Sequence, residues 1–235
     1  MGSQYRTIRA STKMIYGFLL SLHIAAGVAA LVAAAVALAR TKSSRGHVQS
    51  GRAFVVAMLI VFLTAVPMTV VRGDVFLFLI AVFTGCLVLT GWLRARERSE
   101  APTVIDWAAA IVMTSTAVAM GVWSIVLLRR GSGLGVVLVV FALIGGALAL
   151  SDLHFIRRRA YRGTLRIAVH LGRMLGGTIA ALTAFTVVNV RIEPAFVPWL
   201  APTVLLTPLI VYWVRRVTRP GSRATLRSDR PPDTA

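Results

Sequence analysis

The chain reads as an all-α, polytopic integral membrane bundle of seven transmembrane helices. Three observations carry that expectation. Seven apolar runs are each near the roughly 20 residues that a helix needs to cross the hydrocarbon core. The composition is 57% hydrophobic and only 14% charged, against about 25% charged in soluble domains. Finally, nearly all the basic residues fall between the runs or at their ends rather than across one face.

The runs cover 14–39, 52–71, 75–93, 104–128, 134–151, 166–190 and 195–214. The first exceeds a signal-peptide core of about 7–15 residues, so it reads as a retained helix despite the cleavage-like Ala37-Leu38-Ala39. Gly2 does not open a myristoylation signal, since Arg6 stands where Ser or Thr is needed. Arg72-Gly73-Asp74 marks a tight turn between the second and third runs. The fifth run is the shortest. Gly133, Gly135, Gly145, Gly146, Gly172, Gly176 and Gly177 suit close helix approach, which in lipid relies on small residues. Pro194 and Pro198 mark the start of the seventh run, and Pro202 and Pro208 interrupt its backbone bonding. Trp199, Tyr212 and Trp213 fit interfacial anchors. Residues 1–218 form one domain, and 219–235 (RPGSRATLRSDRPPDTA) read as a disordered basic cytoplasmic tail.

A net charge of +18 would suit nucleic acid, but its placement between apolar runs makes it a topology signal, and no nucleic-acid partner is expected. Eighteen basic residues fall on one side and seven on the other, with Arg173 inside the sixth run left out. The positive-inside rule puts the eighteen in the cytoplasm, giving N-out and C-in. The single cysteine, Cys86, excludes an intrachain disulfide and a CxxC site. There is no nucleotide loop, no GxSxG motif and no extramembrane domain to host soluble-type catalysis. No internal repeat points to an inverted-repeat transporter. The expected partner is the lipid bilayer, and a homo-oligomer is compatible with the sequence.

Ionisable residues at membrane depth are costly and default to functional candidates. His47 falls in the polar loop before the second run, and Asp106 opens the fourth. Asp152 and His154 close the fifth, and His170 and Arg173 begin the sixth, all toward the cytoplasmic face. His23 lies 17 residues before Arg40, about 25 Å of helix, and belongs to the outer half. Each has a plain reading beside the functional one. Asp106 suits a helix N-terminus. Asp152 can pair with Arg157 to Arg159. His154 and His47 can be solvated. Arg173 can snorkel, or pair with Asp106, Asp152 or an anion. His23 can be a neutral core histidine bonded to Ser or Thr. His170 is harder to dismiss, because His170, Arg173, Gly177 and Thr178 share one helical face.

Three chemistries can use this set. The first is metal ligation by His47, His154, His170 and Asp152. The second is a b-type haem held by His47 and His170 with Arg173 on a propionate. The third is a proton relay or proton-coupled small-solute transport, with His23 and the inner cluster as separate stations. A membrane sensor or assembly factor without catalysis is the fourth reading.

LHIAAGVAAL, GHVQSGRAFVVAMLIVFLTA, VFLFLIAVFTGCLVLTGW, Asp106-Trp107, HLGRMLGGTIAALTAFTVVN and WLAPTVLLTPLIVYW together resemble a family of bacterial predicted membrane proteins of unknown function, over about residues 14 to 216. The resemblance implies a bacterial plasma-membrane location. It also implies a pattern of a first-helix histidine, a loop histidine before Gly-Arg, and a sixth-helix histidine. These correspond to His23, His47 with Gly51 and Arg52, and His170. It implies no activity.

Overall fold

A computed structural model describes residues 2–96, 101–158 and 163–218, with side chains from residue 13 onward. The expected tail, 219–235, lies outside the described residues. Seven α-helices follow one another: α1 Gly2–Ala39, α2 Arg45–Arg72, α3 Val75–Arg96, α4 Val104–Arg129, α5 Leu134–Arg158, α6 Gly163–Asn189 and α7 Phe196–Thr218. No strand occurs among the described residues. All seven are long and apolar enough to cross a membrane.

The apolar runs set the helix number, but several helices outrun them. α1 begins at Gly2, because nothing between Ser3 and Tyr16 breaks a helix. α5 continues through SDLHFIRR to Arg158 for the same reason. α2 starts at Arg45 rather than in the apolar run, because Ser44 caps it: the Ser44 Oγ accepts the His47 N–H at 3.2 Å. His47 is therefore a first-turn helical residue and not a loop residue. Gly73 ends α2 in the left-handed region (φ 65°), where its N–H bonds the Val70 carbonyl. Asp74 then opens α3, its Oδ1 accepting the Leu77 N–H at 2.9 Å.

Consecutive helices pack on one another from α1 to α5, and α6 pairs with α7. The fold closes because α6 returns to lie against α3 and touches α1. α3 is therefore central, flanked by α2, α4 and α6. The larger core joins Phe76, Phe83 and Leu87 of α3 to Met113 and Met120 of α4 and Leu138 of α5. A second core joins Ala30 and Ala34 of α1 to Phe54 and Met58 of α2 and Val88 of α3, with Met174 and Ala181 of α6 against it. Large apolar side chains such as Val118, Leu143 and Leu205 point outward, as they must where the solvent is lipid.

Gly177 shows why a small residue is needed at the crossing of α2, α3 and α6. A Cβ there would stand 2.8 Å from Val88 Cγ2 and 3.7 Å from Phe54 Cζ. Gly146 is the contrast, with nothing within 4 Å of a Cβ. Gly177→Val should therefore destabilise the bundle by about 1–3 kcal/mol through overpacking. Gly146→Val should cost nothing. Thermal unfolding in detergent reads both, and equal melting temperatures would refute the crossing as drawn.

Candidate functional site

Three of the four histidines share one local arrangement. His47 Nδ1 lies 3.0 Å from the Ala37 carbonyl near the end of α1. His170 Nδ1 lies 2.8 Å from the Gly91 carbonyl of α3. His23 Nδ1 lies 3.2 Å from the Val61 carbonyl and 3.0 Å from the Thr64 hydroxyl of α2. A carbonyl oxygen only accepts, so each Nδ1 must carry the proton and donate. In the neutral ring, Nε2 then keeps its lone pair and is the basic nitrogen.

Local structure explains each bond. The last carbonyls of a helix have no intrahelical donor. In α1, the Ala37 carbonyl takes the His47 Nδ1–H and the Leu38 carbonyl takes the Lys42 ammonium at 3.3 Å. Gly91 lets α6 come close, since a Cβ there would stand 3.0 Å from Arg173 Cβ. Thr64 donates its own hydroxyl proton to the Ile60 carbonyl at 2.7 Å, leaving its oxygen free to accept from His23.

One contact and two equal offsets bring His47 and His170 to one level. Phe54 of α2 meets α6 at Gly177. His47 precedes Phe54 by seven residues and His170 precedes Gly177 by seven, which is two turns on the same face in each case. Consecutive spans alternate in direction, so α2 and α6 run the same way and equal offsets give equal depth. The charges of His47 and His170 accordingly lie within electrostatic reach of each other. His23, bonded beside Thr64, is 17 residues farther along α2 than His47, or about 25 Å. It belongs to the other half of the bundle.

The remaining expected residues separate. Asp152 points inward and pairs with Arg173 of α6, Oδ2 to Nη2 at 2.5 Å. Arg173 also donates to the Leu148 carbonyl at 3.1 Å. Both are buried, at 5% and 3% exposure, so Arg173 does not snorkel. Its Nη1 is buried without a hydrogen-bond partner. His154, two residues beyond Asp152, is turned about 200° around α5. It is exposed and meets the ring of its neighbour Phe155 edge-on at 5.7 Å. The expected set of His47, His154, His170 and Asp152 therefore does not converge. Among the described residues, no three His, Cys, Asp or Glu side chains are gathered as a metal ion would need. Helix phase removes His154, and Arg173 takes the Asp152 carboxylate. Cys86 is buried and free, within electrostatic reach of Arg173 and Asp152.

Asp106 is the helix N-terminal residue expected of it, but its ion-pair partner is not Arg173. It completes a capping box with Thr103, accepting the Thr103 N–H at 2.8 Å. It also forms a buried ion pair with Arg94 of α3. Arg94 is the residue that sequence reasoning missed, having been counted among the topology charges. Its signal was position: it directly follows the third run, a short connection away from an acidic residue that opens the fourth. Arg166 of α6 donates to the Arg94 carbonyl at 3.3 Å. One half of the bundle is thus cross-linked by polar contacts: α3 to α4, α3 to α6, α5 to α6, and α1 to α2. α7, with Pro202 and Pro208, borders α5 and α6, whereas His23 lies between α1 and α2.

These features define a seven-helix, multi-pass membrane protein with an ionisable belt confined to one half of its depth. No protein-family model, no curated protein and no solved structure matches the chain.

Proposed function

We propose that this is a bacterial plasma-membrane protein, N-out and C-in, whose cytoplasmic half carries a two-histidine site for a b-type haem or a transition metal. His47 and His170 are the ligands, each through Nε2. One observation carries the reading: two histidines on different helices lie at one depth, each with Nδ1–H committed to a backbone carbonyl. That bond is the usual orienting contact of a ligating histidine, fixing its tautomer and turning Nε2 outward. The donor count favours haem, which asks the protein for two axial ligands, over a closed zinc site, which asks for four. Arg173 would balance a propionate through its unbonded Nη1, and Asp152 would act by holding Arg173. His154 stands outside this site.

A sensor or assembly factor without catalysis is the second reading. It draws support from His23, whose bonds to Thr64 and Val61 suit a purely structural histidine, and from His47, which also serves as a cap for α1.

The test is an optical spectrum of the detergent-purified protein, oxidised and then dithionite-reduced, with elemental analysis of the same sample. Cells are supplied with haem precursor and trace metals, and chelators are omitted. A Soret band with sharp reduced α and β bands, lost in both His47→Ala and His170→Ala but kept in His154→Ala, is the expected result. Stoichiometric metal without haem, lost in the same two variants, would keep the site and change its occupant. Colourless, metal-free protein from such cells would end the ligation reading and leave the second.

A further inference from the structure

A groove of about 760 Å³ runs along α7 between it and α5, within the range of roughly 300–1,000 Å³ usual for small-molecule sites. Its α7 wall is a stripe of residues four apart, Thr203, Thr207, Val211 and Arg215, joined by Arg216 at its end, and Ile144 of α5 faces it. Such spacing keeps the stripe on one side of the helix. The groove exists because α7 is poorly covered. Only Pro198 and Pro202 of α7 are buried, both near its start, and no described residue beyond them is.

The groove changes character along its length. From Thr203 to Val211 it is walled by aliphatic side chains, Pro208 and two threonines, and beyond Tyr212 it ends on two arginines. Thr203 to Arg216 spans thirteen residues, about 20 Å of helix. One leaflet contributes about half of a 30 Å hydrocarbon core, so the groove is one leaflet deep plus the headgroup layer. Arg215 and Arg216 lie in the last turn of α7, at headgroup level. The Arg216 guanidinium stands 5.6 Å from the Trp213 ring centroid, which holds it beside the groove mouth rather than free in water.

We propose that this groove binds one anionic phospholipid from the leaflet at which α7 ends, an acyl chain lying along α7 and the phosphate on Arg215 and Arg216. An apolar slot of one-leaflet depth fits an acyl chain. Two adjacent guanidiniums at its mouth fit a phosphate that carries no compensating ammonium, because forked donors match phosphate oxygens. Basic pockets between spanning helices hold anionic headgroups for the same reason. The inference is independent of the histidine site.

The test is native mass spectrometry of the purified protein exchanged into detergent with equimolar phosphatidylglycerol and phosphatidylcholine. The expected result is one retained phosphatidylglycerol per chain, preferred over phosphatidylcholine. Arg215→Gln with Arg216→Gln should weaken that retention roughly thirtyfold, about five- to sixfold for each guanidinium. Val211→Trp, which fills the slot and keeps both charges, should abolish it. Arg129→Gln with Arg130→Gln, at the exposed end of α4, should leave it unchanged. Equal retention of the two lipids would overturn the proposal. So would loss in the arginine pair with full retention in Val211→Trp, which would mean a surface charge effect without a groove. A dimer that Val211→Trp splits while lipid retention stays constant would assign the groove to a second copy instead.

Discussion

Asp152→Ala is expected to lower the stability of the bundle by about 3–5 kcal/mol, the usual cost of breaking a buried pair by removing one partner. The carboxylate is the counter-charge of Arg173, which is 3% exposed. Without it, the guanidinium keeps only the Leu148 carbonyl, with Nη1 already unbonded. A buried cation with one backbone acceptor is a poor substitute for a hydrated one. Arg173→Ala should cost a similar amount from the other side. The informative variant is the double Asp152→Leu with Arg173→Met. It removes both charges and refills the volume, so it should recover most of the loss and could exceed the parent. Thermal unfolding of the detergent-solubilised protein reads the series. A neutral Asp152→Ala would mean that Arg173 escapes to water or headgroups once released, and that the pair is dispensable.

The helices of this fold were legible because hydrocarbon thickness imposes their length. Each run of roughly 20 apolar residues became one helix, and Asp106 and Asp152 stood out as acidic groups where acid is expensive. What the residues did not disclose was rotation. A helix that is apolar on every side gives no amphipathic stripe to say which face meets which neighbour. Arg94 could therefore be counted as a loop charge while it points inward to Asp106, and the partner of Arg173 stayed open among three choices. Helix ends past the apolar run were hidden for a second reason: polar residues without a breaker continue a helix into water as readily as they form a loop. Carrying α5 on to Arg158 would have shown that Asp152 and His154, two residues apart, must face opposite sides. Placing Ser44 as a cap would have put His47 in a helix. The equal seven-residue offsets of His47 and His170 from Phe54 and Gly177 were present in the sequence, but they acquire meaning only once Phe54 is known to meet Gly177.

Asp106→Ala is expected to be far more damaging than Thr103→Ala, although both break the same capping box. Thr103→Ala removes the hydroxyl that accepts the Asp106 N–H at 3.3 Å, a loss of about 1 kcal/mol for an N-cap. Asp106→Ala removes the reciprocal cap bond to the Thr103 N–H and also the counter-charge of Arg94, which is 5% exposed. The second term falls in the buried-pair range of about 3–5 kcal/mol and should dominate. Asp106→Asn separates the two effects: its amide oxygen can still accept the Thr103 N–H, but it offers Arg94 no charge. It should sit between the two alanine variants and closer to Asp106→Ala. The loss should extend beyond α4. Arg94 carries the carbonyl that receives Arg166 of α6, so releasing its side chain loosens the α3–α6 contact beside His170 and Gly91. Hydrogen exchange over the ends of α3 and α6 should rise in Asp106→Ala and stay at the parental level in Thr103→Ala. If the two variants instead unfold alike and exchange alike, Arg94 is hydrated at the interface. Asp106 is then a helix cap alone, and the Asp152–Arg173 pair is the one buried charge pair among the described residues.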